Sequence, residues 1–237
     1  MLKSIASIVL AVAAAALPPA IAFAEPLEFR SDGFFSTPDG NAKLRWDNNT
    51  RCILLSIGDE TAIQFAGPTN SSGNISPWRP AQPKVSNDSQ ARKITIANEG
   101  STEASCQIEM SESAGGVRID IESLPESSKI QVFRLLFPVK LFAGKEVLVD
   151  EKPITLPMDY NETSRIFAAT SNAVFPPLSL RASPGLRIDI IPLSESAKTT
   201  LADCRQWKEE KFHLPITMKG GKTSLLVKLS DAKSAPN

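Results

Sequence analysis

Apolar and polar residues alternate along most of this chain. In Val117–Glu122 three branched apolar side chains alternate with three charged ones, and the segments Leu186–Ile190 and Phe212–Met218 repeat the arrangement. A period of two gives an extended strand one dry face and one wet face, as in antiparallel sheets packed over a shared core. The pattern therefore predicts β-strands.

Glycine-containing turns separate these runs at hairpin spacing. They lie at Pro38–Asn41, Ala114–Gly116 and Lys219–Lys222, and glycine tolerates the positive φ that tight hairpins require. About ten or more short strands joined in this way predict an all-β fold, a large antiparallel β-sandwich with at most one short helix. The best candidate for that helix is Ser196–Gln206.

Two polar segments, Gly67–Gln90 and Leu156–Arg165, resist a strand interpretation. Loops longer than about 12–15 residues in a compact domain are often functional. We therefore look to these segments first for a binding site.

Residues 1–24 have the organisation of a secretory signal peptide. A lysine precedes the apolar run Ile5–Leu17, and Ala22–Ala24 supplies a small-x-small cleavage pattern. The alanine-rich signal is of bacterial type, so we expect an exported protein, periplasmic or extracellular. The rest is predicted to form one β-sandwich domain over residues 25–230 and a flexible tail over residues 231–237.

The charge balance narrows the classes of partner. The chain has 26 basic and 26 acidic residues and no basic stripe, which argues against a nucleic-acid partner. After the signal, no apolar stretch approaches the roughly 18–20 residues needed to span a bilayer, so the mature chain is predicted to be soluble. No nucleotide-binding or dinucleotide-binding fingerprint is present, and no cofactor is expected.

The three cysteines are far apart and form no CxxC motif. One interpretation is a disulfide between Cys52 and Cys106, which would suit an oxidising compartment and leave Cys204 as a free thiol. The other is that all three are buried apolar side chains, which is a common environment for free cysteine.

Signatures of catalysis are mostly missing from the sequence. The single histidine, His213, lies on the polar face of a predicted strand, so no two-histidine metal site can form and no metal is expected. No G-x-S-x-G motif accompanies it. Two carboxylates could perform acid–base chemistry on a sugar, but the sequence gives no basis for choosing them. Asp120, Glu122 and Asp189 alternate with apolar residues and are expected on a solvated sheet face.

Aromatic residues in polar segments are the candidate ligand contacts. Sugar rings stack their C–H faces on flat aromatic faces, while nearby polar groups bind the hydroxyls. Trp78 and Arg79 lie between prolines in the first segment, Asp159 lies beside Tyr160 in the second, and Trp207 follows the candidate helix. Each also has a structural interpretation, as a lid over the core or as a polar turn.

The region from Ile94 to Pro157 has an order of segments found in a known family. A charged hairpin is followed by Phe133–Pro138, Phe142–Asp150 and Ile154–Pro157. This order resembles the large β-sandwich domains of galactose-mutarotase-like or supersandwich type that accompany bacterial polysaccharide-degrading enzymes. The mutarotase family uses histidines and a glutamate at its active site, whereas this chain has one histidine. The resemblance implies a carbohydrate-associated sandwich without that chemistry, and a fold alone does not define a function.

Three functions remain open at this point. The favoured one is an exported, non-catalytic carbohydrate-binding or accessory module that contacts a poly- or oligosaccharide. The second is a carbohydrate-active enzyme, a hydrolase, lyase or epimerase, whose carboxylates the sequence does not identify. The third is a structural or protein-interaction domain of the cell envelope.

Overall fold

The computed structural model describes residues 25–70, 82–98, 105–124, 131–183 and 185–231. The predicted signal peptide and the predicted tail from residue 232 onward lie outside the described residues. Among the described residues, no helix is both long and apolar enough to cross a membrane.

The described chain is built almost entirely from strands. The first nine are β1 (Glu28–Arg30), β2 (Phe34–Ser36), β3 (Ala42–Asp47), β4 (Cys52–Ile57), β5 (Glu60–Thr69), β6 (Lys84–Asp88), β7 (Lys93–Asn98), β8 (Ser105–Ser113) and β9 (Gly116–Leu124). The next nine are β10 (Val132–Pro138), β11 (Glu146–Val149), β12 (Lys152–Thr155), β13 (Ile166–Ala173), β14 (Leu178–Ser183), β15 (Leu186–Pro192), β16 (Ser196–Asp203), β17 (Lys211–Met218) and β18 (Lys222–Asp231). The helical elements are one turn of α-helix, α1 (Val139–Phe142), and two 3-10 turns, Glu162–Ser164 and Arg205–Trp207.

These strands form two antiparallel sheets. Sheet A has the order β1-β2-β3-β4-β5-β10-β17-β16-β13, and sheet B has the order β12-β11-β14-β15-β18-β9-β8-β7-β6. The predicted all-β antiparallel sandwich with at most one short helix is confirmed.

Side chains of both sheets meet in one hydrophobic core. Phe133 and Phe212 project into it from sheet A, and Ile119 and Ile188 project into it from sheet B, all with no exposed surface. Full burial of such a side chain contributes roughly 1.5–3 kcal/mol relative to exposure. The alternating segments found in the sequence therefore supply the core from one face of each strand.

The outer face of sheet B carries paired charges. Arg118 is 2.8 Å from Asp120, and Lys222 is 2.8 Å from Glu122. These acids remain partly exposed, whereas Asp189 is more covered because the hydroxyls of neighbouring serines and the guanidinium of Arg187 donate to it. Acidic residues on this face thus serve in ion pairs along the sheet surface.

Three local predictions are wrong. The candidate helix Ser196–Gln206 is instead strand β16 followed by a 3-10 turn, because its residues pair with β13 and β17, and this long-range pairing overrides local helix propensity. The turn Lys219–Lys222 is not a hairpin within one sheet, since it carries the chain from β17 in sheet A to β18 in sheet B. The polar segment Gly67–Gln90 contains the end of β5 and strand β6.

All three cysteines are free and buried. Cys52, on β4, projects to the outer side of sheet A, where its thiol donates to the Thr50 carbonyl (3.2 Å) and accepts from Gln64 (3.1 Å). Cys106, on β8 of sheet B, belongs to the hydrophobic core. The Cys52–Cys106 disulfide is therefore not formed, since one side chain points away from the core and the other points into it.

Gly116 is a position where the fold excludes a side chain. It begins β9 beside β18, and a Cβ atom there would lie 2.2 Å from the Val227 carbonyl oxygen. Gly116→Ala is expected to lower the free energy of unfolding by about 1–3 kcal/mol, as overpacking does. Gly185→Ala is the matched control, because nothing lies within 4 Å of its added Cβ. Urea unfolding measures both variants, and equal stabilities would contradict the prediction.

Candidate functional site

A cavity of about 830 Å³ opens on the outer face of sheet A. On β10 and β17, the lining residues Arg134 and His213 alternate with the core residues Phe133 and Phe212. Because successive side chains of a strand point to opposite faces, the cavity lies on the side of the sheet away from the core. Its volume is within the range of about 300–1,000 Å³ that is typical of small-molecule sites.

The strand register aligns the cavity floor in a row across four strands. Leu136 on β10 pairs with His213 on β17, His213 pairs with Ala202 on β16, and Ala202 pairs with Ile166 on β13. All four residues line the cavity. His213 is thus at the centre of the row, and it is only 9% exposed.

A proline interrupts the sheet beneath the cavity. Pro215 lies opposite Arg134 on one side, and on the other side the pairing of β16 with β17 lapses between Thr199 and Ala202. Proline has no N–H to donate to a neighbouring strand, which accounts for the gap in the ladder.

One wall of the cavity is the 3-10 turn that carries Trp207. The turn is closed by a hydrogen bond from the Trp207 N–H to the Cys204 carbonyl (2.9 Å), and it ends at Lys208, which has a left-handed conformation with φ of 62°. The Trp207 ring meets the His213 ring edge-on, with centroids 5.4 Å apart and planes at 61°. Trp207 is nevertheless 59% exposed, so much of its ring remains open to solvent at the rim.

A buried ion pair anchors this wall. Asp203, only 1% exposed, accepts from the guanidinium of Arg205 at 2.6 Å. Arg205 also donates to the carbonyls of Pro157 (3.0 Å) and Met158, and its guanidinium lies 5.3 Å from the centre of the Phe212 ring. Breaking such a pair by removing one partner typically costs about 3–5 kcal/mol, so it fixes the turn firmly.

The cavity lining is positively charged. Among the described residues that line it, the charged ones are three cations and one carboxylate: Arg134, Arg165, Lys198 and Glu209. Neutral groups accept hydrogen bonds from two of these cations: Arg134 donates to the Thr69 hydroxyl, and Arg165 donates to the Gln206 amide oxygen.

The other titratable groups in the lining are neutral at pH 7. Burial lowers the pKa of His213 to about 4, and the nearby charge of Arg134 acts in the same direction. Burial also raises the pKa of the Cys204 thiol to about 12, with Glu209 contributing. Neutral His213 therefore has one nitrogen that donates and one that accepts. Among the described residues, no three histidine, cysteine or acidic side chains are placed to hold a metal ion.

The structure brings one of the predicted ligand residues to the cavity. Trp207 lines it. Asp159 and Tyr160 lie on the adjacent segment that Arg205 holds, and they do not line the cavity. The hydrogen-bonded carboxylate of Asp203 raises the pKa of Arg205, and the charge of Asp159 adds to this effect. Trp78 and Arg79 fall outside the described residues, so their predicted role stays a prediction.

Sequence reasoning missed most of the cavity residues. His213 is on the face away from the core, as its strand parity predicts, but it is buried instead of solvated. Arg134 carried a usable signal, because it is a lone charge within the apolar run Val132–Pro138. A strand that is apolar at almost every position is covered on both faces, so a charge within it requires partners.

Comparison with known proteins shows similarity of fold alone. No protein-family model matches the sequence, and no curated protein is similar to it in sequence. Solved structures of similar fold include a protein from Escherichia coli assigned as an aldose 1-epimerase, with 8% identity, a TM-score of 0.47, and 81% of this chain and 97% of that chain covered.

Two further structures give the same result. A Synechocystis protein has 10% identity and a TM-score of 0.46, with 91% of this chain and 99% of that chain covered. A galactose mutarotase related enzyme from Lactobacillus acidophilus has 8% identity and a TM-score of 0.46, with 86% and 99% covered. The resemblance to galactose-mutarotase-like β-domains is confirmed as a weak likeness of fold.

The neutral state of His213 makes stability depend on pH. Its folded pKa of about 4 lies below the ordinary value of 6.5, so the unfolded chain binds a proton first as the pH falls. Stability is expected to fall between about pH 6.5 and pH 4, by up to about 3 kcal/mol from this residue. Urea unfolding measures the free energy of unfolding of the native protein and of His213→Gln at several pH values in this window. Both proteins contain the same carboxylates, so the difference between their pH profiles is due to His213. Parallel pH profiles would contradict the prediction.

Proposed function

We propose that this protein binds a saccharide in the cavity on the outer face of sheet A, as an exported, non-catalytic module. The observation that carries the proposal is Trp207, whose ring is held at the cavity rim by contact with His213 while 59% of the residue stays exposed. A flat aromatic face at the rim of a polar cavity suits the C–H face of a sugar ring.

The floor and one wall of the cavity supply partners for sugar hydroxyls. The hydroxyls of Thr200 and Thr217, the amide of Gln206 and the neutral imidazole of His213 all line it. Hydroxyl and imidazole groups can both donate and accept, which matches the dual character of a sugar hydroxyl. The Trp207 ring and these polar groups together provide the two kinds of contact that a saccharide requires.

The same cavity is poorly suited to glycoside hydrolysis. That reaction usually needs two carboxyl groups about 5–10 Å apart. Among the described residues, Glu209 is the sole carboxylate in the lining. Binding therefore fits the cavity better than cleavage of a glycosidic bond.

Removing the indole ring tests the binding proposal. Trp207→Ala is expected to weaken saccharide binding about tenfold, since an aromatic stacking contact is worth about 0.5–1.5 kcal/mol beyond its buried area. A glycan array and a polysaccharide pull-down provide the measurement. Leu193→Ala is the control, because Leu193 is an exposed apolar residue that does not line the cavity. An array without binders, or unchanged binding by Trp207→Ala, would overturn the proposal.

A second candidate function is epimerisation at the anomeric carbon. Glu209 and His213 line the same cavity. Arg134 lies close to both, because the charge of Glu209 raises the pKa of Arg134, against the larger effect of burial, and the charge of Arg134 adds to burial in lowering the pKa of His213. Ring opening of an aldose moves one proton from the anomeric hydroxyl and supplies one to the ring oxygen. The Glu209 carboxylate can accept the first proton, and the neutral His213 N–H can hydrogen-bond the ring oxygen while a water molecule supplies the second.

The enzymatic candidate is tested by following the anomers directly. Proton NMR of freshly dissolved α-D-galactose and α-D-glucose measures the rate of anomer exchange with and without the protein. The epimerase function predicts exchange faster than the spontaneous rate, with Glu209→Gln reducing the acceleration at least about a hundredfold. Glu146→Gln, an exposed carboxylate outside the cavity lining, is the control. An unaccelerated rate would eliminate this candidate and leave binding alone.

A further inference from the structure

We infer that the saccharide carries an anionic group, a carboxylate, sulfate or phosphate, that binds the cavity cations Arg134, Arg165 and Lys198. This inference rests on the proposed saccharide binding and names the chemical class of its ligand. It follows from the charge of the lining, from the way the cations are held, and from the contrast with the other sheet.

The strand register places Arg134 and Lys198 around one space. Lys198 on β16 is in a row with Thr217 on β17 and Val132 on β10, and Arg134 is in the adjacent row. Rows on one face are about 7 Å apart, and β10 and β16 are separated by β17, about 10 Å across. Arginine and lysine side chains span such distances, so their charged ends can meet one ligand group.

A neutral partner positions Arg165 without cancelling its charge. The Gln206 amide oxygen accepts from Arg165, and this guanidinium retains further N–H groups that can donate to a ligand. In the described part of the chain, no hydrogen bond or ion pair involves the ammonium of Lys198, and this residue is exposed. A planar guanidinium and an exposed ammonium in the lining of one cavity are suitable donors for oxyanions.

The outer face of sheet B differs from the cavity in how its cations are partnered. On the outer face of sheet B the cations Arg118, Arg187 and Lys222 each pair with a carboxylate within 3.0 Å. The whole chain is balanced, with 26 basic and 26 acidic residues. The cavity lining therefore has three cations for one carboxylate, in contrast to these paired charges on sheet B, and such a cleft attracts anions.

Partial burial strengthens this argument for Arg134. Burial lowers the pKa of Arg134, and the charge of Glu209 offsets only part of that effect. A guanidinium removed from water gains more from an oxyanion than an exposed one does, because the local dielectric is lower.

Matched pairs of acidic and neutral glycans test the inference. The probes are oligogalacturonate and its methyl ester, sulfated and desulfated galactan, and phosphomannan and its dephosphorylated form. At least one acidic member is expected to bind about tenfold or more tightly than its neutral counterpart, and the preferred pair identifies the oxyanion. Its affinity is expected to fall as the salt concentration rises between about 0.05 and 0.5 M. Equal affinity within every pair, or no acidic binder, would overturn the inference.

Charge variants connect the effect to the cavity. Lys198→Gln and Arg165→Gln are each expected to reduce the affinity for the acidic glycan at least about fivefold more than the affinity for its neutral counterpart. Lys222→Gln is the matched control, because its ammonium pairs with Glu122 on sheet B. Unchanged affinity of both cavity variants would overturn the inference.

The two proposals fail in different ways. If glycans bind with a dependence on Trp207, but acidic and neutral members of each pair bind equally and neither depends on Lys198 or Arg165, the saccharide site stands and the anionic ligand is wrong. If no glycan binds, the saccharide proposal itself is wrong. If inorganic sulfate or phosphate binds in a Lys198-dependent way and no glycan does, the cavity is an anion site and both proposals are wrong as stated.

Discussion

The register between β10 and β17 is the constraint on which both the core and the cavity depend. The two strands pair without a shift from Val132 opposite Thr217 to Pro138 opposite Lys211. This register sends Phe133 and Leu214 into the core and leaves Arg134 and His213 on the outer face. A slip of one residue would exchange the two faces, placing a guanidinium in the core and phenyl rings in the cavity. The large cost of burying an unpaired charge holds the register, so core packing and site geometry have one physical cause.

The topology of the sheet creates a charge pattern that composition conceals. Equal totals of basic and acidic residues give no sign of an excess of positive charge anywhere on the protein. Arg134, Arg165 and Lys198 are distant in sequence, and they come together because β17 lies between β10 and β16 while β13 forms the edge. On sheet B the opposite charges are neighbours on one strand or on paired strands, as in Arg118 with Asp120. Ion pairs between neighbouring residues can therefore be predicted from a sequence, whereas a cluster of cations from separate strands cannot.

The difference between local patterns and long-range pairing also explains how much of the fold and of the site could be predicted from the sequence. Alternation within Val117–Glu122 and Phe212–Met218 is a local signal, and both segments lie in strands of the predicted kind. Ser196–Gln206 was predicted as a helix because its composition tolerates one, but two neighbouring strands supply pairing that no local pattern contains. The parity of His213 correctly placed it away from the core. Its burial depends on the turn that carries Trp207 and on β10, so the lowered pKa could not be anticipated.

The Asp203–Arg205 ion pair explains why a loop can matter to the cavity without lining it. Asp159 and Tyr160 were chosen because an acid beside an aromatic residue suits a sugar, yet their segment contacts the turn instead of the cavity. Arg205 holds the carbonyls of that segment and the carboxylate of Asp203 at the same time, and Trp207 is two residues further on. A displacement of the segment would be transmitted to the ring at the rim, because a guanidinium with its partners in a fixed planar geometry does not adjust independently. Polar loops near a site can therefore act by positioning the residue that makes the contact.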